Sequence, residues 1–258
     1  MQIDATDEKS FPADIRRIVF EYLSGLPKDI EKRILDNKIE YSIDVRCAVE
    51  DYMGPSKASA LYEKIIAVLN DCSIISYHAT KVLDTESIRN NGLHTNTWEW
   101  YSKYLEDSLK ALSFDDDTVK SALALVEKEY DRKYSNNRRT AQICFFSGIR
   151  LLENEDGSAG YDQFCENIGG ELARWALEDK MPEVYNVLKN SGTPIIVKVA
   201  LPYIDLMDFL YESVAYQFIS YYAAKYYWDF EYEIDYDCIT DKDVEADKIL
   251  EIIPFGKR

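Results

Sequence analysis

The stretch IISYHATKVLDTESIRNNGL, Ile74–Leu93, decides how this chain reads. Its first part is an apolar, β-type run that ends in Tyr77-His78-Ala79-Thr80, so Ser73–His78 is predicted to be a strand. A short helix follows, with Thr85 as its expected N-cap and Gly92 as the residue just past its end. A strand that hands over to a helix leaves its last side chains at an element boundary, where they meet ligands. His78, one of only two histidines in the chain, sits at that boundary.

Upstream, helical periodicity dominates and no strand is read. Ile15, Ile18, Val19, Tyr22 and Leu23 share one face after Pro12, which suits a first helical turn. Ile30, Ile34 and Leu35 suggest a second short helix after Pro27, and Val45–Tyr52 a third that stops before Gly54-Pro55. Leu61, Ile65, Val68 and Leu69 give a fourth helix its stripe. Downstream, Trp98 to about Tyr134 reads as helical, then Gln142–Ser147 as a strand, Glu171–Glu178 as a helix and Pro194–Leu201 as a β-branched strand. Leu206–Tyr227 is an aromatic-rich helix whose rings are expected in the core. Asp229–Asp237 alternates Phe230, Tyr232, Ile234 and Tyr236 with Glu231, Glu233, Asp235 and Asp237, the period-2 pattern of a strand. Lys248–Phe255 is the last strand. Strands separated by helices and long insertions, without regular β-α-β spacing, predict an α+β fold. The chain is expected to divide into a helical N-terminal extension, 1–70, and a catalytic domain, 71–258. No G-x-G-x-x-G occurs, which argues against a Rossmann dinucleotide site.

The 258 residues carry 30 basic and 47 acidic side chains, a net charge of −17. Such a surface repels phosphate backbones at long range, so tight sequence-blind nucleic-acid binding is not expected. The five cysteines, Cys47, Cys72, Cys144, Cys165 and Cys238, form no C-x-x-C pair, and His94 is the only other histidine. No metal is therefore expected, and reduced, structural thiols in a cytoplasmic protein are. The polar N-terminus, MQIDATDEKS, does not read as a signal peptide, and Lys198, Pro202 or Asp208 break the longest apolar runs, so no membrane contact is expected.

Tyr77-His78-Ala79-Thr80 followed by Ile88-Arg89-Asn90-Asn91-Gly92-Leu93 resembles the first strand and helix of the ADP-ribosyltransferase family, which commonly reads Y-H-x-T/S and then I-x-x-x-G-L. Ile143-Cys144-Phe145-Phe146-Ser147 is similar to that family's aromatic strand, with Phe145 in place of the usual Tyr. Tyr161 is the nearest candidate for its second aromatic. Glu231-Tyr232-Glu233-Ile234, followed by Ile239 to Val244, is similar to its late glutamate strand. The resemblance covers Ser73 onward and leaves residues 1–70 and the helical insertion around 98–140 unexplained. It implies a split mixed β-sheet core with a helical N-terminal extension and a helical insertion. It also implies NAD as co-substrate.

Breaking the bond between ribose and nicotinamide builds positive charge on the sugar carbon. A fixed carboxylate beside it stabilises that charge. The resemblance gives this role to Glu231, with Glu233 as its rival; two carboxylates so close raise one pKa between them. It gives His78 the adenosine ribose hydroxyls, the Ala79 backbone the nicotinamide amide, Thr80 and Ser147 polar contacts, and Phe145 and Tyr161 ring stacking. The basic island Arg132–Arg139, with Arg138 and Arg139, is a candidate seat for the NAD pyrophosphate or an acidic target. Plainer readings stand beside these. His78 fits a core histidine bonded to a carbonyl, Glu231 and Glu233 the wet face of an edge strand, Tyr161 a surface tyrosine, and the basic island a solvated loop.

Three functions follow. The first is transfer of ADP-ribose from NAD to a protein or nucleic acid, resembling bacterial toxin and phage-conflict members that act in toxin–antitoxin or anti-phage defence. Its partners would be that target and an antitoxin or inhibitor protein. The alternative is a non-catalytic module that binds NAD, ADP-ribose or a protein. A third, an NAD-consuming RNA 2′-phosphotransferase of the same fold, calls for extra histidines and arginines in its early motifs, and only one other histidine exists here.

Overall fold

The computed structural model describes residues 1–24, 47, 50–134, 141–148, 164–228, 232–234 and 236–254. The expected helix around Ile30–Leu35 lies outside them. The fold is mixed α and β, with a six-stranded sheet. The contacts divide it into two units, each built from two stretches of chain: Met1–Ile75 with Leu201–Cys238, and Ser76–Ala200 with Ile239–Arg258.

The first unit is a helical packing. Helix α1 (Ala13–Leu23) buries Ile15, Ile18, Val19 and Leu23, and α2 (Pro55–Leu69) buries Ala58, Leu61, Tyr62, Ile65 and Leu69. Both sets follow the i, i+3, i+4 spacing of one helix face. Their partner is the late aromatic helix, labelled by its range Asp208–Ala223, in which Val214, Phe218, Ile219 and Tyr222 are buried. Phe11 meets Phe218 edge-on at 5.0 Å, and Phe218 and Tyr222 are the buried aromatics among that helix's described side chains. A fully buried Phe or Leu stabilises by about 2 kcal/mol relative to an exposed one. The helix runs into a π-helical turn, Ala224–Trp228, where Lys225 pairs with Glu8. One strand escaped the sequence reading: β1 (Gln2–Ile3) pairs in parallel with Ser73 and Ile74. Two residues are too few to show a period.

In the second unit, β2 (Ser73–Val82) runs past the expected end at His78, because Ala79 and Val82 also find buried places. Its helix, α3 (Thr85–Asn91), is capped one residue earlier than expected: the Asp84 carboxylate accepts a hydrogen bond from the Glu86 N–H at 2.9 Å. The helical insertion is two helices, α4 (Trp98–Ala111) and α5 (Asp116–Tyr134). The break falls at Ser113, in a left-handed conformation (φ 67°), and Asp115 then accepts from the Thr118 N–H and hydroxyl at 2.8 and 2.9 Å. Strand β3 (Ile143–Phe146) follows, then α6 (Gly170–Leu177) and α7 (Pro182–Asn190). The sequence reading passed over α7, although Pro182 opens it and Val184, Tyr185 and Leu188 are buried. Leu105, Leu109, Val126, Leu172, Ala176 and Leu188 knit α4 to α7 into one core.

The remaining strands are β4 (Thr193–Pro202), β5 (Asp237–Thr240) and β6 (Ile249–Pro254). With the late aromatic helix as α8, the sheet order is β5-β3-β2-β4-β6. β2 pairs antiparallel with β3, and β4 antiparallel with β6. The alternating stretch before β5 behaves otherwise than expected. Tyr232, Glu233 and Ile234 are not in a strand, although Ile234 and Tyr236 are buried and Glu233 is exposed.

The chain after α3 is fastened to the segment before β6. Leu93 and Val244 exchange two backbone hydrogen bonds of 2.8 Å. The Asp243 carboxylate accepts from the Thr95 N–H at 2.7 Å, the Thr95 hydroxyl at 2.9 Å and His94 Nδ1 at 2.9 Å. Burial pushes the Asp243 carboxyl up, but the bonds from Thr95 and His94 outweigh it and hold it below the usual range. Asp243→Ala is expected to cost about 1 kcal/mol in a urea titration, since the side chain is half-exposed and its bonds compete with water. A loss below the error of that measurement would mean the backbone bridge alone holds the segment.

Candidate functional site

His78 and the aromatic strand are neighbours. Tyr77 lies opposite Phe146 in the antiparallel register of β2 and β3, so the two share a face of the sheet. His78 and Phe145 share the other face, with ring centroids 5.6 Å apart. His78 Nδ1 is 2.9 Å from the Cys144 carbonyl oxygen. A carbonyl only accepts, so Nδ1 carries the proton, and Nε2 of the neutral ring is an acceptor. Burial lowers the His78 pKa, and the Cys144 carbonyl opposes that shift only in part. At neutral pH the ring is therefore uncharged, and Nε2 is suited to a ligand hydroxyl.

This has a measurable consequence. Below the ordinary pKa of 6.5 an unfolded His78 takes up a proton that the folded one resists. Folding stability from this group is present above pH 6.5 and falls as the pH drops towards the lowered folded value. His78→Gln is expected to flatten that part of the stability curve, read as urea midpoints from pH 7 down to pH 5. Parallel curves for the two proteins would refute the burial argument.

Of the other residues singled out in the sequence, Ala79 is buried and Thr80 is partly buried, with its carbonyl accepting from the Cys165 thiol at 3.1 Å. Phe145 and Ser147 are each 1 % exposed, so both are enclosed by protein. Glu233 is exposed, in the first unit, between Tyr232, whose hydroxyl donates to Gln217 at 2.9 Å, and the buried Ile234. Glu231, Tyr161, Arg138 and Arg139 lie outside the described residues. The described start of the basic island is engaged: Arg132 donates to the nearly buried Glu129 at 3.0 Å through Nε. Cys72, Cys165 and Cys238 are buried, Cys47 and Cys144 are exposed, and all five are free thiols.

The sequence reading missed two polar residues that the sheet brings into play. Asp243 fastens a loop 148 residues away in sequence, a pairing no local pattern reveals. Lys198 interrupts the apolar run of β4, and its ammonium lies 5.5 Å from the centre of the Tyr77 ring. A lone lysine inside a β-branched strand was the available signal. Among the described residues, no helix is long and apolar enough to cross a membrane. No known protein family, curated protein or solved structure matches the chain.

Proposed function

We propose that the chain transfers ADP-ribose from NAD to a macromolecular target, protein or nucleic acid, as a toxin or anti-phage effector. The observation that carries this reading is His78, within β2 in the Y-H-x-T segment and beside the aromatic strand β3. Its imidazole is held neutral beside the aromatic strand, and its Nε2 lone pair is fit to accept a ribose hydroxyl. In the reaction, the bond between the ribose anomeric carbon and the nicotinamide nitrogen breaks, and its electron pair leaves with nicotinamide. The acceptor's nucleophilic atom bonds to that carbon and releases its proton to water. A carboxylate supplied by Glu231 or Glu233 stabilises the cationic sugar between the two events.

The test mixes purified protein with NAD labelled in its adenylate half, in the presence of cell extract. Label entering protein, RNA or DNA, with nicotinamide released, supports transfer and identifies the acceptor class. His78→Ala is expected to raise the KM for NAD about tenfold, the loss of one hydrogen bond of about 1.4 kcal/mol. Absence of nicotinamide release would overturn the transferase reading. NAD binding without release would favour the second reading, a non-catalytic NAD or ADP-ribose module, to which the exposed position of Glu233 outside any strand lends weight.

A further inference from the structure

A cavity of about 540 Å³ opens in the first unit, between residues 50–54, one face of α2 and Tyr216 of α8. Its apolar wall includes Ile66 and the rings of Tyr62 and Tyr216, whose centroids are 4.0 Å apart at 78°. Its charged residues are Glu50, Asp51 and Glu63, and no lysine, arginine or histidine lines it. The Tyr62 hydroxyl donates to Glu50 Oε1 at 2.8 Å, which fixes that carboxylate at the wall. Asp51 and Glu63 are exposed, and neither is in a salt bridge among the described residues. Two lysines of α2 turn elsewhere: Lys57 Nζ and Lys64 Nζ lie 6.0 and 5.0 Å from the centre of the Tyr22 ring on α1.

We propose that this cavity binds an aliphatic polyamine, a chain of methylenes that carries several ammonium groups. The volume suits a small organic molecule, since ligand clefts span about 300–1,000 Å³. The methylenes leave water against Ile66 and the tyrosine rings, and aromatic rings also attract an ammonium. Each ammonium only donates hydrogen bonds, and the three carboxylates accept them. The charge is dispersed rather than convergent: among the described residues, no group of three or more His, Cys, Asp or Glu side chains is placed to hold a metal ion. Negative charge spread around an apolar wall matches a ligand whose positive charges are spaced along an apolar chain, and not a point cation. The net charge of −17 draws any cation towards the protein, and the cavity selects among them. None of these residues belongs to the NAD reading, so the proposal is independent of it.

Calorimetric titration of the full chain with spermidine tests it, with magnesium chloride and a tri-lysine peptide as comparisons at one ionic strength. Spermidine is expected to saturate a single site. Asp51→Asn and Glu63→Gln are each expected to weaken it about threefold to fivefold, as for one exposed ion pair, and together about tenfold or more. Glu251→Gln removes an equal charge from the exposed face of β6, outside the cavity, and should leave the affinity as it was. Ser59→Arg sets a guanidinium at the exposed Ser59 of the cavity lining and should abolish binding. Circular dichroism and thermal melts verify folding, and Ser59→Arg decides the matter if the carboxylate variants do not fold. Four outcomes would overturn the proposal: no saturable spermidine binding, equal losses in Glu251→Gln and Glu63→Gln, displacement of spermidine by magnesium at equal charge, or tighter binding of tri-lysine, which would mark the cavity as a seat for a protein partner.

Discussion

Gly92→Ala is expected to cost about 3–5 kcal/mol of stability. Gly92 ends α3 with φ 82° and ψ −158°, a backbone conformation that side chains other than hydrogen strongly resist. A Cβ there would stand 2.0 Å from the Val244 carbonyl oxygen and 3.0 Å from its carbon. Neither neighbour is the tip of a flexible side chain. Val244 is held by its own exchange of hydrogen bonds with Leu93, so relief of the clash must break that bridge and loosen the Asp243 clamp beside it. The backbone strain accounts for about 1–3 kcal/mol and the disrupted bridge for the rest. At this chain length the melting temperature is expected to fall by roughly 10 °C. A loss under about 1 kcal/mol would show that the segment before β6 moves aside freely.

Glu231→Gln is expected to lower NAD turnover at least a hundredfold, equivalent to about 3 kcal/mol of transition-state stabilisation. The glutamine keeps the shape and removes the negative charge that the proposed reaction sets beside the developing sugar cation. The expected signature is a fall in kcat with little change in KM, because the charge acts in the transition state more than in the bound substrate. Glu233→Gln is the comparison. Its exposure makes a smaller effect the expected result, and an equal or larger one would transfer the role to it. Unchanged nicotinamide release in the protein carrying both substitutions would end the transferase reading.

Much of the fold was legible in the residues. The stripes of α1 and α2, the β-branched run of β4 and the glycine after α3 are local signals, and the structure uses each as local physics demands. What escaped depended on distant partners. β1 is a strand only because Ser73 and Ile74 lie alongside it, and Asp243 matters only because Thr95 comes to it. The alternation of Tyr232, Ile234 and Tyr236 was read as strand because a strand is the usual reason for period-2 burial, yet Ile234 and Tyr236 are buried here outside any strand. In the candidate site, His78 stood out as a rare residue at a boundary. Phe145 was chosen over Phe146 by resemblance, although only the register of β3 tells which ring is enclosed.

The first unit joins residues 1–75 to residues 201–238, and this sets its order of assembly during synthesis. The ribosome must add 163 residues (238 minus 75) after Ile75 before that unit has all its parts, on the order of ten to thirty seconds at elongation rates of about 5–20 residues per second. Throughout that interval the apolar stripes of the two early helices wait for Phe218 and Tyr222. In nascent chains stalled in this window those stripes are without their late partner, and slow translation lengthens the interval.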